Sequence, residues 1–458
     1  MVNPNNGEQP TLFDLTPQGE PKAQVKAGSV FADPAFASNK NTAVHRWVPW
    51  IAGFSREFVQ GAFERHLHKK GIVLDPFAGV GTTLVEAILA GHQVIGFEIN
   101  PYAVLACQTK LSAYQLGPDV VTNAAEAFQQ FYRDATNGGA YVPKSNPPSG
   151  FKTRVAFYSP QVLQKVLIVQ DFIAHLAEEI LRNIFRIAFA STMVRYSNYS
   201  YEPSLGRRAS AGKENIADFP VGETIAEKLC EIAYDIGWMC QKIHGQSPIA
   251  QVFNDTFFRC EEKIQGESVD LLVTSPPYLN NYHYNRNTRP HLYWLGYANN
   301  PDDLRPLEEQ NFGTYWQTVR ERECVELDSR IQDSEIRECI ETIRTKTPEK
   351  GIYGGNGWAN YAASYFNDCY RFAKAATYAL KRQGTALVVI GNSILQGIMI
   401  PTDRYLGKIA EVVGLELVDI HIPRATRVGN SIIQSHVRVE KAKASHQLYE
   451  AVVELRKL

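Results

Sequence analysis

The sequence predicts a Rossmann-like α/β fold with a mostly parallel sheet and a helical insert, and four stretches carry that expectation. Gly71-Ile-Val-Leu74 is a short apolar run that reads as a buried strand, and a glycine turn then leads into Leu84–Ala90, which reads as a helix. Gly91-His-Gln-Val-Ile-Gly-Phe-Glu98 reads as a second strand ending in an acid. Ser268–Thr274 is another apolar strand, and Thr385–Ile390, preceded by a helical pattern over Asp368–Leu380, is a further one. Arg382-Gln-Gly384 reads as the stop of that helix. Strands alternating with helices favour a parallel sheet.

The glycine turn is Asp75-Pro-Phe-Ala-Gly-Val-Gly-Thr-Thr83. Gly79 and Gly81 lack Cβ atoms where a ligand must approach backbone, and the Thr82 and Thr83 hydroxyls are placed to cap the helix. The spacing is not that of a dinucleotide fingerprint, because Leu84 stands where its third glycine belongs. This argues against a nicotinamide-dependent oxidoreductase. Glu98 falls about 20 residues past the turn, where a carboxylate can accept hydrogen bonds from a ribose diol. Without a ligand, the same pattern is an ordinary strand-turn-helix with an acid at a strand end.

The later strand ends in Thr274-Ser-Pro-Pro-Tyr278. Two prolines remove two N–H donors and stiffen the loop, so carbonyls and a hydroxyl face the cavity. An exocyclic amine is a poor nucleophile while its lone pair is delocalised into the ring. Acceptors that draw its protons toward tetrahedral geometry correct this, and Ser275 Oγ with the Pro276 carbonyl suit the task. Pro277 completes the rigid pair, and Tyr278 offers a face for an extruded base. Transfer would be direct, driven by positioning and electrostatics.

Together the two motifs resemble the signatures of the S-adenosylmethionine-dependent DNA amino-methyltransferases of the T-S-P-P-Y type, which modify N4 of cytosine or N6 of adenine. The resemblance implies a class I methyltransferase fold with S-adenosylmethionine as cofactor. It gives Asp75, Phe77, Ala78, Gly79, Gly81, Thr82 and Thr83 to the cradle for the methionine part, and Glu98 to the ribose. Val44–Ser55 resembles the segment facing the cofactor carboxylate, with His45 and Arg46 as candidates; packing of an aromatic helix entry on the sheet is the alternative. Asn254-Asp255 resembles the acidic site near the adenine ring, so Asp255 would accept from its amine, unless it is simply a turn residue. Gly391-Asn392-Ser393 resembles a strand end near the site, and Arg424–Gln434 a terminal segment of unassigned role. Ser275 in the first position of the loop goes with cytosine N4 in that family.

The seven cysteines are scattered, with no C-x-x-C and none after a proline, so neither a zinc site nor a disulfide framework is indicated. The carbon-methylating class, which needs a Pro-Cys nucleophile, is disfavoured too. No metal is expected. With 458 residues, 44% hydrophobic and 21% charged, the chain can bury a large core. No apolar stretch approaches about 18 residues, so no membrane partner and a cytoplasmic, nucleoid-associated bacterial location are expected. The formal net charge is -1, so a DNA surface must be a local basic patch.

Residues 1–30 are rich in Pro, Asn, Gln and Gly and read as a disordered tail. Within it Gln9-Pro-Thr-Leu-Phe13 resembles the peptide with which bacterial DNA enzymes bind the replication sliding clamp. Residues 31–116 form the cofactor half and 246–458 the catalytic half, with an insert at 279–358. Between the halves, 117–245 is a helical insert with amphipathic stretches at Pro160–Ala190 and Glu223–Ile243. Its linker interleaves aromatics and cations, making Tyr199, Tyr201, Arg207, Arg208 and Lys213 candidates for stacking and phosphate contact with double-stranded DNA, or a solvated surface loop. The second insert opens with polar, aromatic and basic residues that could wall the base pocket. Its Glu308–Arg344 reads as a solvent-facing helical excursion and Gly351–Gly357 as a hinge or turn. The insert before Asp255 departs from the family's common arrangements, which leaves sequence readout open between the two inserts.

The resulting expectation is DNA cytosine-N4 methylation, with a cognate restriction enzyme as partner or a role in phage defence. An N6-adenine DNA or RNA base methyltransferase, and a weakly catalytic DNA-binding module, are the alternatives.

Overall fold

The computed structural model describes residues 30–50, 53, 55–137, 141–201, 204–243, 245, 248–279, 284–424 and 448–458. Helix α1 (Arg56–His66) precedes the strand β1 (Ile72–Asp75), helix α2 (Thr82–Leu89), strand β2 (Gln93–Phe97) and helix α3 (Pro101–Ser112). Four helices follow: α4 (Pro118–Asn137), α5 (Pro160–His175), α6 (Glu179–Thr192) and, after a hairpin of β3 (Tyr199–Tyr201) and β4 (Leu205–Arg207), α7 (Val221–Ile243). The chain re-enters the sheet as β5 (Ala250–Phe253) and β6 (Val269–Thr274). The second insert holds α8 (Tyr284–Trp294), short α9 (Arg305–Glu309) and α10 (Trp316–Val319), and α11 (Ser334–Arg344). Helix α12 (Gly355–Ala379), β7 (Leu380–Gly391), the small hairpin β8 (Ser393–Leu395) and β9 (Ile398–Ile400), helix α13 (Thr402–Glu411), β10 (Leu415–Arg424) and β11 (Glu450–Lys457) complete the chain.

The main sheet runs β10-β11-β7-β6-β1-β2-β5. All pairings from β7 to β5 are parallel, and β11 is antiparallel to both β7 and β10. This is a Rossmann-like α/β fold. Alternate residues of β7 serve opposite faces: Leu387 and Val389 join one core, while Ala386, Val388 and Ile390 join the other. Such strands, buried on both faces, explain the continuous apolar runs in the sequence. The chain moves outward from β1 through β2 to β5, then returns to place β6 on the other side of β1. That reversal is a switch point, and the carboxyl ends of the flanking strands open a crevice there.

Two expected elements differ. Helix α12 stops at Ala379, and Arg382-Gln-Gly384 lies within β7, where Leu380 pairs with Val269 but the next pairing joins Thr385 to Leu271. The residues between bulge out of the ladder, with Gln383 at φ 63°. Nor is Glu308–Arg344 simply solvent-facing, since α11 buries Ile336, Ile340 and Ile343 in the core that contains α12. No helix among the described residues is long and apolar enough to cross a membrane. The peptide Gln9–Phe13 and most of Arg424–Gln434 lie outside the described residues.

The helices of the first insert share one hydrophobic core with α1, α2 and one face of the sheet. A buried carboxylate fastens them. Asp235 of α7 is fully buried and accepts from Val44 N at 2.8 Å, Arg46 Nε at 3.0 Å, Arg46 Nη2 at 2.6 Å and Trp47 Nε1 at 2.9 Å. Removing it strands a guanidinium, an indole N–H and a backbone N–H together. Asp235→Ala is therefore expected to destabilise the fold by about 2–3 kcal/mol, the scale for losing charge-assisted hydrogen bonds to a buried carboxylate whose partner Arg46 is partly exposed, in urea denaturation followed by fluorescence.

Candidate active site

The crevice at the ends of β1, β2, β5 and β6 is lined by Trp50, Pro76, Phe77, Gly79, Glu98, Ile99, Asn100, Asp255, Thr256, Phe257, Phe258, Ser275, Pro277, Gln310, Asn311 and Phe312. It is an open crevice, about 730 Å³ counting its mouth. Two carboxylates and several aromatic rings line it, with no lysine or arginine among the lining residues.

The two motifs meet through one bond. Thr274 Oγ1, at the end of β6, donates to Asp75 Oδ1 at the end of β1 over 2.6 Å. The same oxygen accepts from Phe77 N at 3.1 Å, which sets the first turn of the glycine loop. Burial pushes the Asp75 carboxyl up to about 6 against these donors.

The glycine loop closes around its own chain. Gly79 (φ 51°) donates its N–H to Glu98 Oε2 at 2.9 Å, and a Cβ there would stand 3.1 Å from Trp50 Nε1. Gly81 (φ 85°) sits in the left-handed region that strains other residues, and a Cβ there would press on Cys107 Sγ at 3.1 Å. The need for Gly81 is thus internal packing, and it lies outside the cleft lining. Thr82 and Thr83 do not cap α2, whose first turn follows Gly81 without a side-chain cap. Thr83 Oγ1 instead donates to the Val273 carbonyl at 3.4 Å, and Thr82 Oγ1 accepts from Asn39 Nδ2 at 3.5 Å. Ala78 is buried behind the loop.

Glu98 accepts from two backbone groups, Gly79 N and, at 2.8 Å, Asn100 N. Desolvation nevertheless lifts its carboxyl to about 7. Asn254 fixes the strand end around it, donating to the Glu98 and Ile99 carbonyls at 3.0 Å each. Asp255 is held by Arg259, whose Nε donates to Oδ1 at 3.0 Å, and by Lys263 at 3.7 Å.

His45 and Arg46 do not line the cleft. His45 is buried with Nε2 at 2.7 Å from Glu86 Oε1, and burial lowers its pKa despite that acid. Arg46 is committed to Asp235. Among the described residues of that segment, Trp50 reaches the cleft. On the catalytic loop, Ser275 and Pro277 line the cleft, Pro276 is buried, and Tyr278 is half-buried with its hydroxyl 3.3 Å from Glu450 Oε1.

The linker expected to be a loop is the β3–β4 hairpin. Tyr199 stacks on Phe157 at 5.5 Å, Tyr201 Oη donates to the Asn287 carbonyl at 3.0 Å, and Leu205 N donates to Asn287 Oδ1 at 3.0 Å. Arg207 and Lys213 are exposed, while Arg208 Nε donates to the Glu214 carbonyl at 2.8 Å. Asn287 belongs to α8, whose next residue Thr288 accepts from Asn100 Nδ2 at 2.8 Å. The hairpin is therefore braced against the cleft wall. Gln310, Asn311 and Phe312, which close the cleft from the second insert, had no signal in the sequence beyond their place in a polar stretch.

Residues 15–109 match the family model described as DNA methylase, of the N6/N4 type. Among curated proteins, the type II methyltransferase M.BsoBI of Geobacillus stearothermophilus is 24% identical over 436 residues, covering 87% of this chain and 83% of that protein. M.AvaI of Anabaena variabilis is 24% identical over 415 residues, with 87% and 84% covered, and M.MvaI of Kocuria varians is 22% identical over 350 residues, with 73% of each covered. The chain is similar to DNA methylases. These likenesses support S-adenosylmethionine as the cofactor, and the cleft fits it: a half-buried acid for a diol, aromatic walls for a purine, and no lysine or arginine among the described lining residues to repel a sulfonium.

If Glu98 takes the ribose diol, its ionised form is the stronger acceptor, so binding favours loss of its proton. Affinity for S-adenosylmethionine is expected to be full above pH about 7 and to weaken as pH falls through it. For the ligand-free fold the sign is opposite: Glu98 holds a proton that the unfolded chain loses near 4.5, so its contribution to stability declines between 4.5 and about 7. Calorimetric titration across pH 6 to 8.5 checks the first statement, and Glu98→Gln should flatten the profile while weakening binding.

Proposed function

We propose that this chain methylates the exocyclic N4 of cytosine in a base turned out of double-stranded DNA, within a restriction-modification system. The observation that carries the reading is the meeting, at one cleft, of Gly79 and Glu98 from the cofactor half with Ser275 and Pro277 from the catalytic half. When bound, S-adenosylmethionine supplies an electrophilic methyl group on a cationic sulfonium. Glu98 would hold the ribose diol and Asp255 the adenine amine, while Phe77 and the backbone at Gly79 would hold the methionine end.

Ser275 Oγ and the Pro276 carbonyl would accept the two amine protons, so that nitrogen lone-pair density is freed from the ring. Tyr278, steadied by Glu450, would present a ring face to the extruded base. The Ser275 hydroxyl acts as an acceptor and forms no covalent bond to substrate. Serine at the head of this loop favours cytosine N4 over adenine N6, and the type II relatives support the restriction-modification setting. On the DNA side, the braced hairpin would place Arg207, Arg208 and Lys213 against phosphates and Tyr199 and Tyr201 near the bases.

Tritiated methyl transfer to unmethylated bacterial DNA, followed by nucleoside mass spectrometry, is expected to yield N4-methylcytosine. Ser275→Ala should lower the rate by about 100-fold, as loss of one catalytic hydrogen-bonding group does. N6-methyladenine as the product would overturn the base assignment, and label in RNA alone would overturn the substrate class. For the hairpin, Arg207→Glu with Arg208→Glu should weaken DNA binding and lower the slope of log K against log salt by about 2; unchanged affinity and slope would remove the hairpin from the DNA surface.

A further inference from the structure

Beyond Thr274, whose ladder partner is Val388, the catalytic loop leaves the sheet. Pro276 and Pro277 have no N–H, so the loop cannot be held by its own donors there, and its shape depends on what reaches its carbonyls. Two of these carbonyls are taken from behind. Tyr365 Oη donates to the Pro277 carbonyl at 3.1 Å, and Ser393 Oγ donates to the Leu279 carbonyl at 2.5 Å.

Tyr365 lies on α12 and is 1% exposed. Its ring meets the cleft-lining Phe312 edge-on, with centroids 5.2 Å apart, and the chain crosses the ring so closely that a Cβ on Gly313 would stand 2.6 Å from it. The adjoining Gly313 N–H is pinned to Asp368 Oδ2, one helical turn further along α12, at 2.9 Å. Both the loop and the cleft wall are thus referred to one buried phenol. Burial holds that phenol far above its ordinary ionisation range, so it remains a donor.

We propose that Tyr365 is a positioning residue for methyl transfer: its hydroxyl holds the Pro277 carbonyl toward α12 and so fixes the loop that carries Ser275 into the cleft, while its ring sets Phe312. This rests on the methyltransferase reading above. A hydroxyl that merely satisfied a buried carbonyl would affect stability alone. A hydroxyl that orients the reacting loop affects the chemical step.

Tyr365→Phe removes one oxygen and keeps the ring. Given a wild-type protein that methylates DNA, the variant is expected to lose about tenfold to 100-fold in single-turnover rate, with KM for DNA and Kd for S-adenosylmethionine within about twofold of wild type. Its melting temperature and cofactor titration, taken on the same sample, separate positioning from folding. A wild-type rate overturns the proposal, and so does a rate loss matched by an equal loss of cofactor affinity, which would report a distorted cleft. An inactive wild-type protein would instead overturn the functional reading itself.

Discussion

The bond from Thr274 Oγ1 to Asp75 Oδ1 is the constraint on which the site depends. It spans 199 positions of sequence and joins the ends of two adjacent parallel strands at the place where the sheet reverses its order. Register brings the two within one residue of each other, since Val73 pairs with Leu271 and Leu74 with Leu272, which sets Thr274 one position past Asp75. The hydroxyl then compensates a carboxylate that has almost no access to water. Because Asp75 Oδ1 also takes the Phe77 N–H, the turn that opens the glycine loop and the residue that precedes Ser275 are fixed by one atom. A slip of either strand would separate the cofactor motif from the catalytic one.

The inserts are structural partners of that junction. Helices α4 to α7 bury apolar faces in the same core as α1 and α2, and Asp235 gathers the donors of Val44, Arg46 and Trp47 beneath the segment that carries Trp50 into the cleft. On the other side of the sheet, α11 and α12 form the second core, from which Tyr365 and Phe312 reach the site. Helix α8 joins the hairpin to the cleft, because Asn287 receives the hairpin and Thr288 receives Asn100, whose own N–H holds Glu98. Shape at the cleft is therefore shared between faces that are far apart in sequence.

How much of this was legible follows from where the determinants lie. Strands β1, β2 and β6 announce themselves because both of their faces are buried, so their residues are apolar without alternation. Glu98 and Ser275 could be located because each follows such a strand directly. His45 and Arg46 could not be resolved in the same way: what decides their roles is Glu86, 41 positions on, and Asp235, 189 positions on, and an acid within a helix carries no mark of facing inward. Thr82 and Thr83 look like caps by local chemistry, yet the left-handed Gly81 takes the capping position and tertiary partners take the hydroxyls. The β7 bulge was misread for a related reason, since Gly384 resembles a helix stop whether the chain turns or merely leaves the ladder.

The two acids of the cleft are prepared differently, and this gives the site a direction. Asp255 is matched by Arg259 and Lys263, so it is an acceptor whose charge is already answered. Glu98 has two backbone N–H groups and no cation among its partners, and its neighbour Asp75 raises it further. A ligand carrying a diol and a positive charge improves the surroundings of Glu98 twice over, by donating hydrogen bonds and by supplying the missing charge, whereas at Asp255 it adds only a hydrogen bond. On the proposed reading, charge selectivity therefore belongs mainly at the end of β2, beside Gly79, and the end of β5 would discriminate by hydrogen-bond pattern and aromatic contact with Phe257 and Phe258.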